Sequence, residues 1–134
     1  MGMFDSLRIA ASGMTAQRLR MDVIADNLAN AQSTKGPDGQ PYRRKEVVLA
    51  AGGASFDDVL GVHVQGIAAD PTPGHKVYDP GNPDADAQGY VTMPNVSSVT
   101  EMVDLIDASR SYEADVQVMT TAKQMVAKAL EVLR

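Results

Sequence analysis

Cysteine and tryptophan are both absent from this 134-residue sequence, and its aromatic side chains are limited to four tyrosines and two phenylalanines. Because there is no cysteine, the fold has neither a disulfide framework nor a thiolate metal site. Because aromatic side chains are few, each residue buries little apolar area in any core that forms. We therefore expect one domain's worth of chain that is only marginally stable as a monomer.

Long apolar runs are absent as well. No segment approaches the roughly 20 apolar residues of a membrane-spanning helix, and Asp5 and Arg8 interrupt the apolar residues of the N-terminus. The sequence therefore predicts no membrane insertion and no cleaved secretory signal peptide. If the protein leaves the cytoplasm, it requires another export route.

Basic residues are scarcer than acidic ones, with 12 Lys and Arg against 17 Asp and Glu and a formal net charge of -5. The one basic cluster, Lys35 with Arg43, Arg44 and Lys45, contains only Tyr42 as an aromatic residue and is followed by an acidic segment. Nucleic-acid binding needs a broader basic surface. We expect the cluster to flank a solvated turn or to form salt bridges between subunits, and we expect no nucleic-acid partner.

Patterns for catalysis and metal binding are missing too. His63 and His75 are the only histidines, and neither has further ligands beside it. Residues 84–89 (DADAQG) imitate the first half of a calcium loop, but Asn95 stands at its twelfth position and Pro94 prevents the exiting helix. A capped turn is the favoured interpretation and calcium the alternative. The sequence predicts no enzyme activity, catalytic residue, metal, cofactor or small-molecule substrate.

What the sequence does contain is a step of seven between apolar residues at each end. The N-terminal stripe and the C-terminal stripe consist of Leu7, Met14, Met21 and Leu28, and of Leu105, Tyr112, Met119, Val126 and Leu133. Half-steps between these positions add Ile24 to the first stripe and Met102, Val116 and Leu130 to the second. A helix with this period packs along another helix. An amphipathic helix in an ordinary globular core is the alternative.

Helix length favours the first of these two interpretations. A helix over residues 4–31 is roughly 40 Å long and one over residues 98–134 is roughly 55 Å long. The middle segment, in which Phe56 is the only phenylalanine, has too few apolar residues to cover both stripes. The stripes must therefore cover each other or those of a neighbouring copy, and we interpret them, with their half-steps, as an assembly interface.

Local signals predict the boundaries of the segments. Ser98 and Glu101 have the spacing of a capping box, which places the start of the second helix at Ser98. Pro94 prevents an earlier start, and the turn signal GPDG at 36–39 follows the first helix. These signals divide the chain into an N-terminal helix at 1–34, a middle segment at 35–97 and a C-terminal helix at 98–134.

The middle segment is predicted to contain a small β-hairpin and an arm. Residues 42–49 have the β-branched content of a strand, and residues 61–67 alternate apolar and polar side chains. Proline, glycine, asparagine and aspartate dominate residues 71–94, which predicts an extended, irregular arm. The predicted fold is mainly α, with long N- and C-terminal helices packed as a coiled-coil-like hairpin around these elements.

The first helix closes with Asn27-Leu28-Ala29-Asn30, preceded by Asp26. This motif resembles the signature of the flagellar axial proteins, the rod, hook and hook-filament junction subunits, although much of that family has Asn in place of Asp26. The resemblance to rod subunits extends over most of the chain, through residues 34–43, 78–83, 89–96 and 108–114. Residues 50–60 match no pattern of the family, so their role is open.

The resemblance implies a structural subunit of the proximal rod in a bacterial flagellar basal body. Its partners would be copies of itself, other rod subunits and the flagellar type III export apparatus, which would export it without cleaving a signal. The rod would then assemble helically across the periplasm and transmit motor torque to the hook. We expect Asn27 and Asn30 to cap or cross-link the end of the first helix, or simply to terminate it. The alternative function is an intracellular helical-hairpin adaptor or chaperone.

Overall fold

The computed structural model describes residues 3–52 and 61–132, and a long helix lies at each end of the described chain. Helix α1 comprises Met3–Ala29 and helix α2 comprises Ser98–Val132. The prediction of a mainly α fold with two long terminal helices is confirmed. Helix α1 ends at Ala29, before both the residue 31 used for its predicted length and the end of the predicted 1–34 segment. The chain leaves it in a turn in which the Ala31 N–H donates to the Leu28 carbonyl at 3.3 Å.

The two helices pack side by side in opposite directions. The Asn27 amide near the end of α1 contacts Glu101 near the start of α2. Fourteen residues earlier in α1, Gly13 lies against Asp115, fourteen residues later in α2. Residue numbers at the contacts fall along α1 as they rise along α2, so the helices are antiparallel. The predicted helical hairpin is present.

The buried apolar side chains are mostly small. Large aliphatic and aromatic groups contribute little to the buried core of the described residues, which comprises Ala10, Ala16, Val23, Ile24, Val91, Val96, Ala108 and Ala122. Small side chains allow close approach of the helices but bury little apolar area for each residue. The core thus supports the expectation of marginal stability.

A first antiparallel sheet packs against α1. It is formed by β1, Lys45–Ala51, and β2, Val62–Ala69, and residues 53–60 between the two strands lie outside the described residues. The Val62 N–H donates to the Ser12 hydroxyl of α1 at 3.1 Å. The predicted β-hairpin is therefore confirmed, and it is fastened to the first helix.

A second antiparallel sheet lies within the predicted irregular arm. Its strands are β3, Lys76–Tyr78, and β4, Tyr90–Thr92. The connection between them is shaped by Asp86, whose carboxylate accepts the backbone N–H groups of Gln88 and Tyr90 at 2.9 Å each. The arm is thus more regular than predicted. Strands of three residues are too short for a periodicity analysis, which needs roughly four to eight.

The start of α2 corrects the predicted capping box. The cap is Ser97 and not Ser98: the Ser97 carbonyl accepts the Glu101 N–H at 3.0 Å, and its hydroxyl accepts the Thr100 N–H at 3.4 Å. The Glu101 carboxylate does not return to the helix start. It points into the interior, where it has partners from α1 and from the residue before β1.

Candidate functional site

Asn27, in the last turn of α1, is fully buried and joins three elements. Its Nδ2 donates to the Lys45 carbonyl at 2.8 Å and to Glu101 Oε2 at 2.9 Å. Its Oδ1 accepts the Lys45 N–H at 3.0 Å and the Tyr42 hydroxyl at 2.9 Å. The amide thus uses both donors and both acceptor positions. It holds β1 and α2 against the end of α1.

Arg44, which directly precedes β1, extends this network along α2. Its Nε donates to Glu101 Oε1, and its Nη2 lies 3.2 Å from Asp104 Oδ2. Arg20 of α1 approaches the same Asp104 at 4.0 Å. The Glu101 side chain is 0% exposed, and a buried carboxylate is costly unless it is paired and hydrogen-bonded. We call Asn27, Arg44 and Glu101 the polar junction.

Tyr42 borders the polar junction on its outer side. Burial raises the pKa of its phenol above the ordinary value of 10.0, and the negative charges of Asp26 and Glu101 raise this pKa further. The Lys45 ammonium lies 5.4 Å from the centroid of the ring. The protonated phenol is the form that donates to Asn27, so the site favours a neutral Tyr42.

Apolar side chains of α2 remain uncovered on the single chain. Near the start of the helix, four of them have the spacing of one face, and more than half of each side chain is exposed: Val99, Met102, Val103 and Ile106. Nearer the end, Met125, Leu130 and Val132 are also exposed. We call the first four the α2 patch. Contiguous exposed apolar groups are typical of interaction surfaces, whether for proteins, membranes or ligands.

The predicted interface residues occupy positions of unequal exposure. On α1, Ile24 is buried, whereas Leu7, Met14, Met21 and Leu28 are half-buried. On α2, the half-buried members are Leu105, Tyr112, Met119 and Val126, and the exposed ones are Met102, Val116 and Leu130. Leu133 lies outside the described residues. The assembly role of these residues stays a prediction.

The described residues offer little that resembles a catalytic or metal centre. Within residues 3–52 and 61–132, no group of three His, Cys, Asp or Glu side chains could hold a metal ion. A cavity of about 360 Å³ lies beside the polar junction and is lined by charges of both signs, including Arg20, Glu46 and Asp104. Neither described helix contains an apolar stretch long enough to cross a bilayer.

Comparison with known proteins matches both ends of the chain to rod families. The family model described as "Flagella basal body rod protein" matches residues 7–37. The model described as "Flagellar basal body rod FlgEFG protein C-terminal" matches residues 87–132. These two ranges contain most of α1 and all of α2.

Individual relatives match over nearly the full length. The flagellar basal-body rod protein FlgC of Escherichia coli O6:H1 is 50% identical over 130 residues, which cover 97% of each chain. FlgC of Bacillus subtilis is 46% identical, with 96% of this chain and 97% of the relative covered. FlgC of Borreliella burgdorferi is 43% identical, with 100% and 99% covered. The chain belongs to the FlgC family of flagellar basal-body rod proteins.

The motif that suggested this family lies in and beside the polar junction. Asn27 is the junction's amide, and Leu28 next to it is half-buried. Ala29 is exposed and ends α1. Asn30 donates from Nδ2 to the Asp26 carbonyl at 2.8 Å, and the same carbonyl accepts the Asn30 backbone N–H at 3.1 Å. The two asparagines of this FlgC-family chain thus act differently, one across elements and one within its own helix.

Sequence reasoning missed the residues through which the two helices of this FlgC-family chain touch. On α2 they recur every seven positions as Glu101, Ala108, Asp115 and Ala122, which are buried or in contact with α1. This series lies four residues ahead of the C-terminal stripe and contains no large apolar side chain. The signal that would have revealed it is this seven-residue alternation of an acidic residue with alanine, because the alanines allow the helices to approach closely.

Proposed function

We propose that this chain is a structural subunit of the proximal flagellar rod, which assembles with copies of itself and with other rod subunits. The observation that carries the proposal is the 50% identity to a FlgC protein over 97% of both chains. Relatives from other bacteria match over nearly their full length and are also named basal-body rod proteins. A role within the basal body is therefore favoured over any other location.

The chain supplies surfaces suited to such an assembly. The α2 patch, the predicted C-terminal stripe and the exposed end of α2 offer apolar side chains along a helix of 35 residues. Packing of these surfaces on neighbouring subunits would be a heterologous contact, which propagates helically when its rotation does not close. We propose that torque passes from the motor to the hook through such packed helices and through charge contacts, with no bond made or broken.

We further propose that the chain is exported by the flagellar type III apparatus with its N-terminus intact. A chain that passes a narrow channel has to unfold at low cost, and a core of alanine and valine side chains provides little resistance to unfolding. Once outside the inner membrane, the chain refolds where neighbouring subunits cover its apolar faces, in the part of the rod that crosses the periplasm.

Complementation tests the structural role. We would express Met102→Asp, in the α2 patch, in a flagellated bacterium that lacks its own copy of the gene. The expected result is loss of swimming and of basal bodies with a complete rod, because the carboxylate disrupts apolar packing. Gln117→Asp is the matched control, since Gln117 is an exposed α2 residue outside the stripes, and it should leave swimming intact. Full motility of the Met102→Asp strain contradicts the interface.

Fractionation separates the rod subunit from the alternative, an intracellular adaptor or chaperone. Purified basal bodies should contain the protein, and its mass should include an intact N-terminal region. Inactivation of the export apparatus should retain the protein in the cytoplasm. An adaptor would instead stay in the cytosolic fraction of a normally motile cell, as a discrete soluble complex.

A further inference from the structure

Two contacts fix the offset between the helices. Asn27 Nδ2 lies 2.9 Å from Glu101 Oε2. A side chain at Gly13 would place its Cβ 3.0 Å from Asp115 Cγ. The two positions are fourteen residues apart in each helix, which equals two of the seven-residue steps that both helices contain. The observed pairing is therefore one member of a series of offsets related by seven residues.

Apolar packing alone distinguishes poorly between these offsets. On α2, positions one step before and one step after Asp115 are Ala108 and Ala122, both buried. Gly13 of α1 has room for either alanine in place of Asp115, because neither glycine nor alanine requires a partner of particular shape. The larger stripe residues also repeat every seven positions, so a shift by one step superimposes apolar positions on apolar positions.

The polar junction does distinguish between the offsets. A shift by one step would place Asn27 opposite Ala108, which offers no acceptor, and would remove Glu101 from the Asn27 amide and the Arg44 guanidinium. Asn27 and Glu101 are both 0% exposed. Buried polar groups without partners are strongly unfavourable, so the shifted pairing is penalised where the observed one is not.

Contacts of Arg44 and of the Lys45 backbone make the first sheet depend on the same helix offset. Asn27 is hydrogen-bonded to the Lys45 N–H and carbonyl, and the Arg44 guanidinium pairs with Glu101 and Asp104 of α2. The first β-hairpin is therefore bound to α1 and to α2 at one point. A shift of α2 along α1 would break its links to the hairpin at the same time.

We propose that Asn27, Arg44 and Glu101 form a registration device that selects one axial offset of α2 on α1 from several that the apolar residues tolerate. Coiled coils use single buried polar residues in this way, at some cost in stability. The inference concerns the fold of one chain and goes beyond the proposed rod function. It holds or fails whether or not the chain assembles.

Disulfide trapping tests the proposal directly, because the sequence contains no cysteine. The pair Gly13→Cys with Asp115→Cys reports the observed offset. The pairs of Gly13→Cys with Ala108→Cys and of Gly13→Cys with Ala122→Cys report shifts by one step in either direction. Each pair is placed in the full chain with native Glu101, with Glu101→Gln and with Glu101→Met, and the fraction cross-linked under mild oxidation is measured.

Comparison of Glu101→Gln with Glu101→Met distinguishes the hydrogen-bonding role of residue 101 from its volume. Glu101→Gln keeps one acceptor oxygen, which serves either Asn27 or Arg44, while its NH2 group faces the other donor. The 13–115 pair should therefore remain the dominant cross-link, with a weaker preference than in the native background. Glu101→Met keeps the volume but offers no acceptor, whereas Arg44 retains Asp104 and Glu46 as partners. Cross-linking of at least one shifted pair should then rise about tenfold or more.

A general loss of stability has to be distinguished from loss of register. Val91→Ala, in the second sheet, removes a buried side chain that is 2% exposed and leaves the polar junction intact. This variant should lower the unfolding midpoint without raising the shifted cross-links. The proposal is overturned if Glu101→Met cross-links only at 13–115, if Val91→Ala produces the same shifted cross-links, or if Glu101→Met abolishes cooperative unfolding, which would make the cluster a stability element.

Discussion

The Asn27 amide spans α1, β1 and α2, so its replacement tests four hydrogen bonds at once. Asn27→Ala leaves the Lys45 backbone N–H and carbonyl and the Glu101 carboxylate short of partners in a buried site. We expect the free energy of unfolding to fall by about 2–4 kcal/mol. Urea denaturation followed by circular dichroism measures the loss.

The second asparagine of the motif is the matched control for this prediction. The Asn30 side chain donates to the Asp26 carbonyl of its own helix, and this hydrogen bond is exposed. Asn30→Ala should therefore cost less than about 1 kcal/mol. Equal losses for the two variants would show that burial and cross-linking do not set the importance of Asn27.

The raised pKa of Tyr42 predicts how the free energy of unfolding depends on alkaline pH. Its folded-state pKa is raised above 10.0 by burial and by the nearby carboxylates. The folded state therefore retains the phenolic proton more tightly than the unfolded state does. The stability that this group contributes is fully present below pH 10.0 and is lost as the pH rises through the folded-state pKa.

Urea midpoints of native protein and Tyr42→Phe at increasing alkaline pH check this prediction. The native protein should lose more stability than Tyr42→Phe over the same pH range, because phenylalanine does not ionise. Tyr42→Phe should also have a lower urea midpoint near neutral pH, since it lacks the hydroxyl that donates a hydrogen bond to Asn27 Oδ1. Parallel curves for the two proteins would contradict the titration of Tyr42.

Single residues were only partly predictable from the sequence. The motif pointed to Asn27, but its partners are distant in the chain, and no local pattern connects them to it. Glu101 was assigned to a capping box because its spacing from Ser98 fits one. Spacing describes what a side chain can reach along its own helix, and the packing of α1 against α2 offered Glu101 a different set of partners.

At the scale of elements, the start of α2 gives a test that distinguishes two adjacent serines. Ser97 caps the helix through its hydroxyl and carbonyl, so Ser97→Ala should lower stability by about 1 kcal/mol. Ser98→Ala, at the first residue of the helix, should have less than half this effect, because alanine favours helix. Thermal unfolding of both variants measures the difference. A larger loss of stability for Ser98→Ala than for Ser97→Ala would support the predicted cap at Ser98.

The elements themselves followed from the sequence to different degrees. Long seven-residue periodicities and the alternation in β2 predicted three of the elements well, because many residues contribute to each signal. β3 and β4 have three residues each, and their pairing depends on the Asp86 turn between them. The buried alanines of α2, Ala108 and Ala122, were not identified from the sequence, since large apolar residues dominate its seven-residue pattern.

At the scale of the whole molecule, the buried apolar side chains are smaller than many of the exposed ones on α2. Buried apolar side chains are mainly alanine and valine, whereas isoleucine, leucine and methionine side chains of α2 are exposed. Burial of these larger groups by a second chain would add to the apolar area that one chain removes from water. Stability should therefore depend on association.

Association of this kind predicts that the apparent melting temperature rises with protein concentration. A partner that binds only the folded chain stabilises it by mass action, so an increase of about a hundredfold should raise the midpoint by up to about 10 °C. Ile106→Glu, in the α2 patch, should abolish this dependence while leaving the midpoint of the dilute protein within about 2 °C, because Ile106 is 56% exposed. Gln117→Glu, on the same helix but outside the patch and the stripes, should retain the full dependence. A midpoint that is independent of concentration in the native protein would mean that the exposed side chains of α2 do not bind another copy under these conditions, which would leave other rod subunits as the partners of the patch.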